Sequence, residues 1–170
     1  MNIQEEQLLR QQIVALVPRL RRFALGLTCS GPDADDVVQM ALERALTRLD
    51  QFQPGTRLDA WLFRIVKTTW LDDRRRQARR PAEQNEHAVN SFDGNVAGQI
   101  ETLELRADIA RALGALNEDQ RAVVLLVLVE GRSYEEASDI LDVPPGTIMS
   151  RLSRARAILM QLLSQEGHQV

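Results

Sequence analysis

The segment Pro144 to Leu163, PPGTIMSRLSRARAILMQLL, carries three arginines and no carboxylate, and no acid occurs between Val143 and Gln165. Arg151, Arg154 and Arg156 offer planar guanidinium forks, and Thr147, Ser150 and Ser153 offer hydroxyls. Such forks pair bidentately with phosphate oxygens or with the edge of a guanine, and hydroxyls bond to either. The available chemistry is recognition of a polyanion, which an acid in the same segment would oppose. At about 100° per residue, Ile148, Leu152, Ala155, Leu159 and Leu162 fall on one side of a helix. Ser150, Ser153, Arg154 and Ala157 fall opposite, flanked by Arg151 and Arg156. One side suits burial. The other is short-chained, hydroxylated and basic, a shape that enters a major groove.

A second basic face stands in LDAWLFRIVKTTWLDDRRR. Trp61, Leu62, Ile65, Val66 and Thr69 lie toward one side of this helix, and Arg64, Lys67, Thr68, Arg74 and Arg75 toward the other. Arg79 and Arg80 extend the basic run. Basic groups beside hydroxyls and aromatics suit a nucleic-acid strand that is held and unstacked. Trp61 reads as core, whereas Trp70 stands between core and strand contact.

Nothing comparable serves catalysis. The two histidines, His87 and His168, have no metal-ligand partner at useful spacing. There is no phosphate-cradling glycine loop and no evident Ser, His and acid motif. Asp72 and Asp73 are adjacent and point to different sides of a helix, so pairing with nearby arginines is expected. Cys29 is the only cysteine, which excludes an intrachain disulfide, and it reads as a small packed residue. The expectation is no enzyme, no metal and no cofactor.

The elements that must position these faces are helices. The 170 residues are 44% hydrophobic and only 4% aromatic, with little alternating apolar pattern, so the fold class is all-α. Formal charge is −3, so local rather than bulk charge decides the partner. A first helix places Leu9, Ile13, Leu16, Leu20, Phe23 and Leu27 at helical spacing, with Pro18 expected to kink or divide it. After the turn CSGPD, a second helix opens on Asp33, Asp35 and Asp36, where carboxylates suit the helix dipole and Asp33 is the expected cap. QFQPGTR is a loop, and the aromatic and basic helix follows. Periodicity vanishes from Gln77 to about Gly98, so two small helical domains, 1–80 and 101–170, are expected with a flexible linker over 81–100. In the second domain Asn117 and Gln120, then Ser133 and Glu136, form capping-box patterns, and Gly131 reads as a helix stop. DVPPG is a turn, and Pro145 suits the first turn of the last helix. A short helix, a tight turn and a basic helix outline a helix-turn-helix running from Ser133 to Leu152 and the turn beyond. No apolar run is long enough for a membrane segment and no signal peptide is evident, so a cytoplasmic chain is expected.

These motifs resemble one family in order and spacing. GTIMSRLSRAR is similar to the recognition helix of the C-terminal DNA-binding domain of bacterial sigma factors. DADDVVQMALERAL resembles their core-polymerase-binding helix, and FQPGTRLDAWLFRIVKTTWLDDRRR the promoter-melting segment that follows it. The length resembles the extracytoplasmic-function (ECF) class, which keeps only the two promoter-contacting domains. The chain departs from the common pattern at Met40, Lys67, Thr68 and Met149.

The resemblance implies that 1–80 is region 2 and 101–170 is region 4. It implies that Asp35, Asp36, Val38, Gln39, Glu43 and Arg44 meet core RNA polymerase. Arg57, Arg64, Lys67, Thr68, Trp70, Arg74 and Arg75 would meet the start-proximal (−10) promoter element. Thr147, Ser150, Arg151, Ser153, Arg154 and Arg156 would meet the upstream (−35) element. Further implied partners are promoter DNA and an anti-sigma factor. A stand-alone DNA-binding regulator and a protein-interaction module that never meets DNA remain open as rivals.

Overall fold

Ser30 shows how the first half of the chain is punctuated. Its backbone is extended (φ −141°, ψ 125°), and its side chain accepts from the amide of Asp33 at 3.4 Å, satisfying a donor that the helix start leaves open. The computed structural model describes residues 3–79 and 99–166. Seven α-helices and no strands occur among them, and the contacts divide the chain into two units, Met1–Asn90 and Ser91–Val170. The all-α expectation holds. The expected linker, 81–100, lies outside the described residues except for its last two, which open a helix. His87, His168 and Arg80 also lie outside them.

The first unit comprises α1 (Ile3–Thr28), α2 (Gly31–Thr47), a single 3₁₀ turn (Leu49–Gln51) and α3 (Leu58–Ala78). Two expectations meet the structure here. Of the kink or division expected at Pro18, division does not occur, since α1 runs through it. The hydrogen bond that proline forgoes would have ended on the carbonyl of Val14, a residue 69% exposed and so on the solvent side of α1. Nor is Asp33 the cap of α2. It stands in the first turn, and Ser30 caps. Leu20, Phe23, Ala24 and Leu27 of α1 are buried with Ala34, Val37 and Ala41 of α2 and Leu62, Phe63 and Val66 of α3. At the centre the rings of Phe23 and Phe63 meet edge to face, with centroids 5.0 Å apart and planes at 79°.

The second unit comprises α4 (Gln99–Gly114), α5 (Glu118–Val124), a π-helical continuation (Leu125–Val129), α6 (Tyr134–Leu141) and α7 (Pro145–Glu166). Both capping boxes form as read. Asn117 accepts from the amide of Gln120 at 2.9 Å while the Gln120 side chain accepts from the Asn117 amide at 3.1 Å. Ser133 and Glu136 do the same at 3.1 and 2.9 Å. Gly131 ends its helix with φ +65°, a conformation that suits glycine. Arg121 is buried and donates to the carbonyls of Leu113 at 2.9 Å and Leu116 at 3.0 Å, so α5 satisfies the open end of α4. Asn117→Ala is expected to cost about 1 kcal/mol, lowering the melting temperature of this unit by roughly 4–8 °C. Differential scanning calorimetry of the full chain measures it.

Candidate nucleic-acid interface

The face of α7 is built from the turn before it. Asp142 closes α6 in the left-handed conformation (φ 55°, ψ 49°), tolerable for aspartate, and Pro145 opens α7. The hydroxyl of Ser138 donates to the carbonyl of Val143 at 2.6 Å and ties the turn to α6. Ile148, Leu152 and Ala155 are then buried at 0, 1 and 0% exposure where α7 packs on α5 and α6. Ser150, Ser153, Arg154, Arg156 and Ala157 are exposed, as the helical wheel requires, and Thr147 is half-buried. The Ser150 hydroxyl donates to the carbonyl of Thr147 at 3.1 Å.

Arg151 differs from its neighbours. Its side chain is 21% exposed, and its Nη2 lies 2.8 Å from Oδ2 of Asp119 in the first turn of α5. Asp119 was not singled out by sequence reasoning, and no local signal links it to a residue on α7.

On α3, Arg64, Thr68, Arg74 and Arg75 are exposed and Lys67 is half-buried. The Thr68 hydroxyl is turned back onto the helix, donating to the carbonyls of Arg64 and Ile65 at 3.0 Å each. Arg57 precedes the helix and lies 3.4 Å from Asp59, whose carboxylate also meets Arg19 at 3.8 Å. Trp70 is corrected. At 3% exposure it belongs to the core of its unit, with the Arg74 guanidinium over its ring at 5.8 Å, so it offers no open face for stacking on a base. Trp61, read as core, is half-buried and packs on Phe52 with ring centroids 5.4 Å apart.

On α2, Asp35, Asp36, Gln39 and Glu43 are exposed and Arg44 is half-buried. Asp35 pairs with Arg21 of α1 at 2.6 Å, and that hydrogen bond together with the carboxylate charge raises the already high pKa of the Arg21 guanidinium. Gln39 donates to Glu43 at 3.3 Å, and Arg44 reaches Asp72 of α3 at 2.9 Å. Val38 is the exception among the residues expected to meet polymerase. It is 6% exposed and serves the core.

Among the described residues no group of three or more His, Cys, Asp or Glu is placed to hold a metal, and no helix is long and apolar enough to cross a membrane. An acid-free, hydroxylated basic face on the second helix of a helix-turn-helix defines a DNA-binding unit, and a second basic helix stands in a separate unit. The comparisons with known proteins divide the chain in the same way. Residues 13–80 match the family model for Sigma-70 region 2, and residues 106–159 that for Sigma-70, region 4. The ECF RNA polymerase sigma factor EcfG of Rhodopseudomonas palustris is 42% identical over 94% of this chain and 87% of its own length. The sigma factor RpoE of Bartonella quintana, in complex with the anti-sigma factor NepR, shares 35% identity and a TM-score of 0.78, covering 91% of this chain and 96% of RpoE. CnrH, in complex with the cytosolic domain of CnrY, shares 30% identity and a TM-score of 0.69, covering 92% and 88%. The chain belongs to the ECF RNA polymerase sigma factors of the sigma-70 family. It is a transcription initiation factor that acts with RNA polymerase on promoter DNA, and not an enzyme.

Proposed function

We propose that the two units divide promoter recognition between them. In the second unit α7 enters the major groove of the upstream (−35) element, with Arg154, Arg156, Ser150 and Ser153 against bases and phosphates. The observation that carries this is the sidedness of α7: Ile148, Leu152 and Ala155 are buried, while the arginine and serine ridge opposite is exposed. In the first unit Arg57, Arg64, Lys67, Thr68, Arg74 and Arg75 hold the start-proximal (−10) element as it opens. Flipping a base costs a few kcal/mol, and with Trp70 buried the unit has little aromatic surface to offset that cost. Strand opening therefore rests on the polymerase.

The exposed polar surface of α2, Asp35, Asp36, Gln39 and Glu43 with Arg44, is the proposed contact with core polymerase. The RpoE relative is held by an anti-sigma factor, which supports the same kind of regulation here. The site of action is the cytoplasm, where polymerase and chromosome meet.

In vitro transcription with core enzyme over a genomic fragment library tests the reading. Initiation from a discrete promoter set is expected. Tight duplex binding without core enzyme would instead favour a stand-alone regulator. A further expectation concerns α2: Asp36→Arg weakens association with core polymerase by roughly tenfold, about 1.4 kcal/mol. Because Asp36 is exposed, the stability of the free chain moves by no more than about 0.5 kcal/mol. Competition against a labelled sigma factor for core enzyme reads the first quantity, and chemical denaturation the second.

A further inference from the structure

Arg151 sits on the same helix as Arg154, but its environment is different. Its side chain is 21% exposed, its Nη1 is fully enclosed without a hydrogen bond, and its Nη2 is 2.8 Å from Asp119. Arg154 and Arg156 stand open on α7. An arginine that reads a guanine must project both nitrogens of its fork to the base edge. Here one nitrogen lies inside the protein and the other is held by a carboxylate.

The backbone that carries the half-exposed carboxylate is anchored. Asp119 stands in the first turn of α5, between Asn117 and Gln120, whose reciprocal hydrogen bonds close the capping box. α5 also packs on α7, with Val123, Ile148 and Leu152 all at most 1% exposed. An ion pair that bridges the start of α5 to the recognition helix adds a directional polar restraint to the apolar contact between them.

We propose that Asp119 and Arg151 form a brace that sets the rotation and height of α7, so that both are positioning residues and base reading falls to Arg154 and its exposed neighbours. The proposal rests on the promoter-reading role given to α7 above. It removes Arg151 from the residues that touch DNA and adds Asp119 to those on which discrimination depends.

The test uses the full chain reconstituted with core polymerase, with initiation measured at a cognate promoter and at the same promoter carrying one changed upstream base. Asp119→Ala, Arg151→Ala and the double variant are compared with the parent. A brace predicts that each single variant lowers the ratio of correct to altered promoter by about fivefold, and that the double variant is no worse than either. Simple loss of folded protein would lower both promoters equally and leave the ratio unchanged, which would overturn the proposal.

The dependence of promoter binding on salt supplies an independent reading. A brace leaves the slope of log K against log salt unchanged in Arg151→Ala, whereas a phosphate contact reduces its magnitude by about one. A reduced slope, or Asp119→Ala raising promoter affinity by freeing Arg151, overturns the brace. Arg154→Ala in the same assay keeps the two readings apart. If it leaves initiation intact, the promoter-reading face itself is misplaced, whatever Asp119 does.

Discussion

Arg154→Glu is expected to reduce promoter-directed initiation on the order of a hundredfold without unfolding the chain. The residue is exposed on the face of α7 opposite the buried Ile148, Leu152 and Ala155. A bidentate arginine contact to a base edge contributes about 1–3 kcal/mol of discrimination. Reversal removes that contact and places a carboxylate against the phosphate backbone. A total near 3 kcal/mol corresponds to roughly two decades in the binding constant. Because the side chain is solvated in the free protein, unfolding free energy shifts by about 0.5 kcal/mol or less. Single-round transcription with saturating core enzyme measures the effect. Initiation within threefold of the parent, from protein with an unchanged melting curve, rules out Arg154 as a promoter contact.

Phe63→Ala carries the largest expected effect on stability. The ring is 0% exposed, meets Phe23 edge to face at 5.0 Å, and lies under the guanidinium of Arg19 at 5.7 Å. Truncating a buried phenylalanine costs about 3–5 kcal/mol. A unit of this size is held by roughly 0.05–0.15 kcal/mol per residue, so the substitution removes a large share of what keeps it folded. The melting temperature of the first unit should fall by roughly 12–40 °C, at about 4–8 °C per kcal/mol. The chain's two tryptophans, Trp61 and Trp70, both lie on α3, so intrinsic fluorescence reports this unit selectively. A shift below about 5 °C would show that the Phe23 and Phe63 contact is not the centre of the core.

The parts of this structure that are local in sequence were legible in it. Each capping box needs two residue types a fixed distance apart, and both boxes formed at Asn117 and Ser133. The sidedness of α7 follows from helical spacing: Ile148, Leu152 and Ala155 are buried and Ser150, Ser153, Arg154 and Ala157 exposed as read, whereas Leu159 and Leu162, read on the apolar side, are half-buried. What escaped depends on residues distant in sequence or on equivalent local choices. Ser30 and Asp33 are both good caps, and only the entry of the chain from α1 selects Ser30. The apolar run Val123–Val129 has no periodicity, so nothing in it announces the π-helical turn over Leu125–Val129. Trp70 lies at the edge of the apolar arc of α3, and packing within the first unit decides its burial. Asp119 and Arg151 meet only because α5 and α7 pack together, and nothing near either residue signals the pair.

The joint between α6 and α7 acts as a counting device. With Asp142 left-handed, Val143 tethered to Ser138, and Pro145 fixing the first turn, the number of residues between the two helices decides which side of α7 turns inward, and the proposed brace of Asp119 and Arg151 acts only within that choice. One residue more or fewer would swing everything downstream by about 100°, carrying Ile148 and Leu152 out toward water and the arginine ridge toward the interior. Lettering in this joint is open to drift so long as its backbone angles are respected, whereas its length is under far tighter constraint. Change in promoter preference is therefore free to proceed by substitution along the ridge and is barred from proceeding by insertion or deletion in front of it.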